Sequence, residues 1–114
     1  MTTATAVDLV QAEVVIKQGL VAAKQAAHAW LAKHGDRDCC GFGFVDVYGV
    51  RSNSRLGKLL ISLGFKKSYT GTLQYWDPSQ SYTQSITAKE VAAQVLADAL
   101  TQLGLRAYAG SRMD

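Results

Sequence analysis

Cysteine is scarce in this 114-residue chain, which holds only two, the adjacent Cys39 and Cys40. Neighbouring thiols of this kind do not make the disulfide framework of a small secreted domain. Long hydrophobic runs are also missing, since apolar stretches such as 26–32 are far shorter than the roughly 18 residues of a membrane span. Residues 1–6 lack the positive flank and apolar stretch of a secretory signal. We therefore expect a soluble, cytosolic, single-domain protein over residues 1–114.

The excess of positive over negative charge is also small. The net charge is +3, and it arises entirely in the middle of the chain, because residues 1–38 and 81–114 are each neutral. The central charges are Arg51, Arg55, Lys58, Lys66 and Lys67 against Asp46 and Asp77. An excess of this size can hold a compact anion but falls short of the dense basic face typical of nucleic-acid-binding proteins. Nucleic acid is therefore disfavoured as a partner.

The motifs of common enzyme classes are absent from the sequence. It contains no Gly-x-Ser-x-Gly elbow, no phosphate-cradling glycine loop of known spacing and no carboxylate pair that stands out. His28, His34, Cys39 and Cys40 could bind zinc, but adjacent cysteines fit two tetrahedral positions poorly, and no second Cys or His pair exists. A thiol nucleophile with His34 as its base would need a contact that the spacing does not predict. The sequence predicts no enzyme, no catalytic residue, no metal and no cofactor.

Hydrophobic periodicity predicts a long first helix, from about residue 7 to residue 34, which Gly35 is placed to end. Its apolar stripe should face the core. The stripe consists of Val7, Val10, Val14, Leu20, Val21, Ala27, Trp30 and Leu31.

Five further elements complete the order α-β-α-β-α-β. They are a central strand over 41–48, a short helix capped within 52–54 and ended by Gly64, a strand over 69–76, a helix opened by a Thr87–Glu90 capping box, and a strand over 105–109. Short helical crossovers favour at least one right-handed parallel strand pair. The predicted fold is a two-layer α/β domain with three helices on a small, mixed, three-stranded sheet.

The central strand contains Gly41-Phe42-Gly43-Phe44-Val45, which looks like the middle of an RNA-recognition octamer. Cys40 replaces the basic first residue of that octamer, Val47 replaces its closing aromatic, and a long helix stands where the domain has an earlier aromatic strand. Because a motif counts only in its structural context, we favour a simpler interpretation. In this interpretation the glycines allow another backbone to approach the strand closely.

A basic cluster at the start of the second helix is the strongest binding candidate. It comprises Arg51, Ser52, Asn53, Ser54, Arg55 and Lys58. Free amides at a helix N-terminus and three cationic side chains favour an anion site. In the alternative interpretation, these are only solvated surface residues beside an ordinary helix cap. Four further residues, Tyr75, Trp76, Tyr108 and Arg112, could add stacking surfaces, although aromatics at strand ends often belong to the core or its rim.

The C-terminal sequence, residues 105–114, resembles the ending of small uncharacterised proteins encoded by tailed bacteriophages. Those proteins also share a Cys-Gly-Phe-like opening strand (40–47), a helix that ends in Gly-Phe (64–65) and a Trp-Asx-Pro-Ser stretch (76–79). The resemblance covers about residues 39–114. It implies a phage origin and the host cytoplasm, but it transfers no activity and no catalytic residue.

Three classes of function follow from these observations. The first is a non-enzymatic phage accessory protein that binds a host protein or inhibits a host defence system. The second is a sequestering binder of a nucleotide or another phosphate-bearing small molecule, and the third is a nucleic-acid-binding module. A homo-oligomer is also expected, because a small sheet has two edges and the first helix is long for so small a core.

Overall fold

The computed structural model describes residues 9–35, 41–68, 70–79 and 85–113. These contain three helices and four strands. In chain order they are α1 (Leu9–His34), β1 (Gly41–Tyr48), α2 (Arg55–Ser62), β2 (Lys66–Lys67), β3 (Leu73–Trp76), α3 (Ile86–Gln102) and β4 (Arg106–Met113). The α/β class and the central position of β1 are confirmed, since β1 pairs with both β3 and β4.

The predicted three-stranded, mixed sheet is wrong in detail. The sheet has four strands in the order β2-β3-β1-β4, and every neighbouring pair is antiparallel. The strand predicted over 69–76 is instead part of a hairpin in which β2 turns through residues 68–72 into β3, while residue 69 lies outside the described residues. Strands β3 and β4 run in the same direction, but β1 lies between them, so the expected parallel pair does not form.

Helix α1 faces the core with its small residues rather than its valines. The buried positions are Ala12, Ile16, Gly19, Ala23 and Ala27, whereas Val10, Val14 and Val21 are 75%, 49% and 57% exposed. The cause is the close approach of α3, because a Cβ on Gly19 would lie only 2.8 Å from the Cβ of Ala99. The stripe predicted for this helix was therefore wrong at these three valines, and Val7 lies outside the described residues.

The helix ends follow local capping chemistry. Gly35 and Gly64 have φ angles of 75° and 114°, and the Phe65 amide donates back to the Leu60 carbonyl, which confirms the predicted end of α2. Helix α3 is capped by Ser85, whose hydroxyl accepts from the Ala88 amide, and not by Thr87.

One hydrophobic core lies between the three helices and one face of the sheet. On that face Val45 and Val47 of β1 are fully buried, and Leu73 and Ala107 of the flanking strands are nearly so. We call this the covered face of the sheet. In the part of the chain that is described, no helix is long and apolar enough to cross a membrane.

Candidate functional site on the open face of the sheet

The side of the sheet opposite the helices carries a concentrated set of aromatic and charged side chains. Side chains alternate along a strand, so the residues between the buried positions of β1 point away from the core. The strand pairing adds their neighbours from β3 and β4. This open face consists of Phe42, Phe44, Asp46 and Tyr48, with Gln74, Trp76, Arg106, Tyr108, Gly110 and Arg112.

Three aromatic rings form one cluster on the open face. The Trp76 ring is 5.6 Å from the Phe44 ring and nearly parallel to it, at 4°, and its centroid is 5.4 Å from that of Phe42. Trp76 nevertheless remains 47% exposed. A flat, exposed π surface of this kind can stack on a planar ligand.

Two tyrosines form a second aromatic pair further along β1. Tyr48 and Tyr108 meet edge to face with ring centroids 5.6 Å apart. They are 42% and 58% exposed, so this pair also offers ring surface to a ligand.

Gly110 determines how the Phe44 ring lies on the sheet. It pairs with Phe44 across the β1–β4 ladder, and a Cβ at this position would come within 2.6 Å of the ring. The ring therefore leans over the backbone of β4, in the space that a side chain would otherwise fill.

Asp46 places a carboxylate between the two aromatic groups. Its Oδ1 accepts hydrogen bonds from the Thr72 hydroxyl at 3.1 Å and from the Gln74 side-chain amide at 3.0 Å. Its Oδ2 accepts none from the described residues. One carboxylate oxygen is thus fixed in place while the other can accept from a ligand.

Two depressions lie next to each other at this end of the molecule. The first, which we call the aromatic depression, has a volume of about 570 Å³ and is lined by residues including Phe44, Asp46, Tyr48, Gln74, Trp76 and Arg112. The second, the basic depression, has a volume of about 580 Å³ and is lined by residues including Arg51, Ser52, Asn53 and Lys67. Gly49 and Gly71 line both of them, so the two depressions adjoin at these glycines. The aromatic depression lies on the open face, whereas Leu73 and its ladder partner Lys67 place the basic depression on the covered side of the sheet end.

The predicted basic cluster is divided by the structure. Arg51, Ser52 and Asn53 line the basic depression, where they meet Lys67 from β2. Arg55 and Lys58 are exposed, and neither is among the described residues that line it.

The helix N-terminus itself contributes less than the sequence predicts. The Ser54 hydroxyl accepts from the Gly57 amide at 3.0 Å and donates to the Arg51 carbonyl at 2.7 Å. That carbonyl lies over the first turn of α2, since a Cβ on Gly57 would collide with it. Cationic side chains, rather than free amides, therefore define the basic depression.

Three of the four predicted stacking residues meet on the open face. Trp76, Tyr108 and Arg112 lie there, whereas Tyr75 is opposite Val45 in the ladder and points to the covered face. Tyr75 packs edge to face on Phe65, with ring centroids 5.1 Å apart.

The sequence-based prediction did not include Asp46 and Tyr48 as site residues, and it set Phe42 and Phe44 aside together with the RNA-recognition octamer. Their signal was the alternation along β1, in which small or aliphatic residues occupy the odd positions and large or polar ones the even positions. The pattern predicts two unlike faces but does not say which one the helices cover. The glycine interpretation is confirmed on the covered face, where a Cβ on Gly43 would lie 2.6 Å from the Lys89 carbonyl oxygen.

The predicted thiol and metal candidates do not form a site within the described residues. Cys39 and Cys40 lie outside them, and the His34 ring stacks on Trp30 with centroids 4.7 Å apart. Among the residues that are described, no three His, Cys, Asp or Glu side chains come together.

Comparison of the chain with protein-family models, curated proteins and solved structures gives no match. The resemblance to phage proteins stays a prediction. The geometry of the open face is therefore the basis for the function proposed below.

Proposed function

We propose that the open face binds a nucleotide, with the base in the aromatic depression and the phosphate in the basic depression. The observation that carries this proposal is that the two depressions adjoin at Gly49 and Gly71, at one end of the sheet. A ligand that passes over these two glycines could place a flat base against the rings of the open face and its phosphate among the cations of the basic depression.

The aromatic depression suits a nucleobase in both shape and polarity. Phe44, Tyr48 and Trp76 offer ring surfaces for stacking, which tolerates any base because every base has a π face. Asp46 Oδ2 can accept from an exocyclic amino group, as carboxylates do from cytosine N4. The site should therefore favour amino-bearing bases over uracil and thymine.

The basic depression suits a phosphate. Arg51 and Lys67 are both exposed, and both line it. An arginine can hold phosphate through two parallel hydrogen bonds, and a lysine adds a point charge. Because these cations are exposed, their contribution should weaken as salt screens it.

The proposed activity is binding and sequestration rather than conversion of the ligand. In a phage protein this activity would withhold nucleotides inside the host cytoplasm. The function that the sequence analysis puts first, a phage accessory protein that binds a host protein or inhibits a host defence system, stays a prediction.

Tryptophan fluorescence tests this proposal directly. The chain has two tryptophans, so Trp30→Phe leaves Trp76 as the sole reporter. Titration with cytidine monophosphate should change Trp76 fluorescence saturably at up to millimolar concentration, and cytidine alone should bind more weakly. Lys67→Gln should lower nucleotide affinity without altering nucleoside affinity.

A matched control uses a lysine remote from the site. Lys24 is exposed on α1, so Lys24→Gln removes one charge without touching the open face. If the nucleotide leaves Trp76 fluorescence unchanged, or if Lys24→Gln weakens binding as much as Lys67→Gln, the proposed site is wrong.

A further inference from the structure

We infer that the open face takes a single strand of nucleic acid, with the nucleotide site as one position along that strand. This inference rests on the proposed function. It is carried by aromatic and cationic groups of the same face that lie beyond the two depressions and that a single nucleotide leaves unused.

The row of aromatic residues is long. Tyr48 follows Phe42 by six residues on one strand, a distance of about 20 Å at the usual rise. Trp76 flanks one end of this row and Tyr108 the other. Stacking positions therefore recur along β1, as they do in proteins that bind successive bases of a strand.

One end of the row continues onto β4. Tyr108 is the most exposed aromatic residue in the described part of the chain, at 58%. Arg106 lies next to it on the same face, opposite Tyr48 in the ladder. Neither is among the described residues that line the two depressions. They supply a stacking surface and a phosphate-binding cation for a neighbouring nucleotide.

The other end carries a buried cation. Lys89 is only 7% exposed, and its Nζ lies 5.1 Å from the centre of the Phe42 ring. Within the described residues it forms no ion pair and no hydrogen bond through that nitrogen. This cation–π contact places a positive charge beside the Phe42 ring, where it would attract the phosphate of a base stacked at this end of the row.

The modest charge excess is compatible with this ligand. Duplex-binding proteins depend heavily on phosphate contacts, whereas single-strand binders gain much of their affinity from base stacking. The aromatic residues of the open face can reach bases only when these are unpaired and exposed. The chemistry therefore favours a single strand over a duplex.

The test compares ligands of increasing length on the Trp30→Phe protein. We expect a cytidine hexanucleotide to bind at least tenfold more tightly than cytidine monophosphate. RNA and DNA hexamers are tested in parallel, since a difference between them identifies which of the two the face prefers, and a duplex should bind more weakly than either.

Two exposed residues separate this inference from the proposed function. Arg106→Gln should lower hexamer affinity severalfold while leaving the affinity for the mononucleotide unchanged. Tyr108→Ala removes a ring that packs on Tyr48, so it should weaken both ligands, and the hexamer severalfold more than the mononucleotide. Arg106→Gln should also reduce the slope of log affinity against log salt by about 1. Lys24→Gln, on the far side of the molecule, should do none of this.

If the hexamer binds no more tightly than the mononucleotide, the inference fails while the nucleotide site stands. It also fails if neither variant at β4 weakens the hexamer, or if duplex and single strand bind equally. Absence of binding by either ligand removes both proposals.

Discussion

The two faces of the central strand differ sharply in what they carry. On the covered face β1 presents Gly43, Val45 and Val47, which are buried. On the open face it presents Phe44, Tyr48 and their neighbours, although large aromatic side chains contribute most when they are buried in a core. Strand β1 thus contributes small and aliphatic residues to the core and keeps its aromatic residues on the open face, whereas the buried aromatic Phe65 lies outside this strand. The proposed ligand site rests on this difference.

The largest expected effect is on the covered face. Leu96 of α3 is fully buried, so Leu96→Ala should lower the free energy of unfolding by about 2–5 kcal/mol, because it leaves a cavity. Molecules that remain folded should bind nucleotide normally. Chemical denaturation combined with the fluorescence titration checks both results. A variant that keeps its stability but loses binding would show that Leu96 serves ligand binding and not the stability of the core.

Gly43 and Gly110 test the difference between the covered face and the open face. A Cβ on Gly43 meets a backbone carbonyl of α3, whereas a Cβ on Gly110 meets the Phe44 ring, which can move. Gly43→Ala should therefore destabilise the protein by about 1–3 kcal/mol. Gly110→Ala should change stability little but lower ligand affinity, because it displaces the Phe44 ring. Thermal melts and ligand titrations of the two variants should give opposite patterns, and similar patterns would contradict the account.

Trp76→Ala should mainly affect binding. Base stacking on an aromatic residue contributes about 1–3 kcal/mol per base, so affinity should fall by about five- to more than a hundredfold, with little loss of stability for so exposed a side chain. Calorimetric titration replaces fluorescence here, since the reporter is lost. Unchanged affinity would exclude Trp76 from the site.

A smaller effect is expected for base preference. Asp46→Asn replaces a carboxylate oxygen with a group of similar shape that also donates, so the preference of cytidine over uridine monophosphate should shrink or reverse. The measurement is the ratio of the two dissociation constants. A ratio identical to that of the unaltered protein would show that Asp46 does not contact the base.

The smallest effect on the fold should come from the outer side of α1. Val14→Gln and Val21→Gln alter exposed residues and should leave the melting temperature nearly unchanged. If the expected homo-oligomer uses these valines, the double variant should be monomeric by light scattering at a concentration where the unaltered chain is not. A chain that is already monomeric contradicts the oligomer prediction.

Local signals were sufficient for several elements of the fold. The ends of α1 and α2 follow from Gly35 and Gly64, whose positive φ angles suit glycine. Strand β1 was predicted with its observed bounds, Gly41–Tyr48. These features depend on neighbouring residues in the chain, which the sequence displays directly.

Apart from the cap of α3, the errors in the prediction concern contacts between distant segments. Strand β2 has only two residues, Lys66 and Lys67, and so carries no periodicity. The buried side of α1 depends on how closely α3 approaches Gly19. Hydrophobicity alone does not predict this side, because valine is more hydrophobic than alanine and would be expected to face the core. The meeting of Arg51 with Lys67 likewise depends on the β2–β3 hairpin, which the sequence analysis did not find.

The most direct test of the open face as a binding surface is an NMR titration of the full chain with the cytidine hexanucleotide. The account predicts that backbone amide shifts change chiefly along β1, β3 and β4 and in the loop at residues 49–53. The amides of α1 that face away from the sheet should stay unchanged. Shifts concentrated on α1, or no shifts at millimolar ligand, would contradict it.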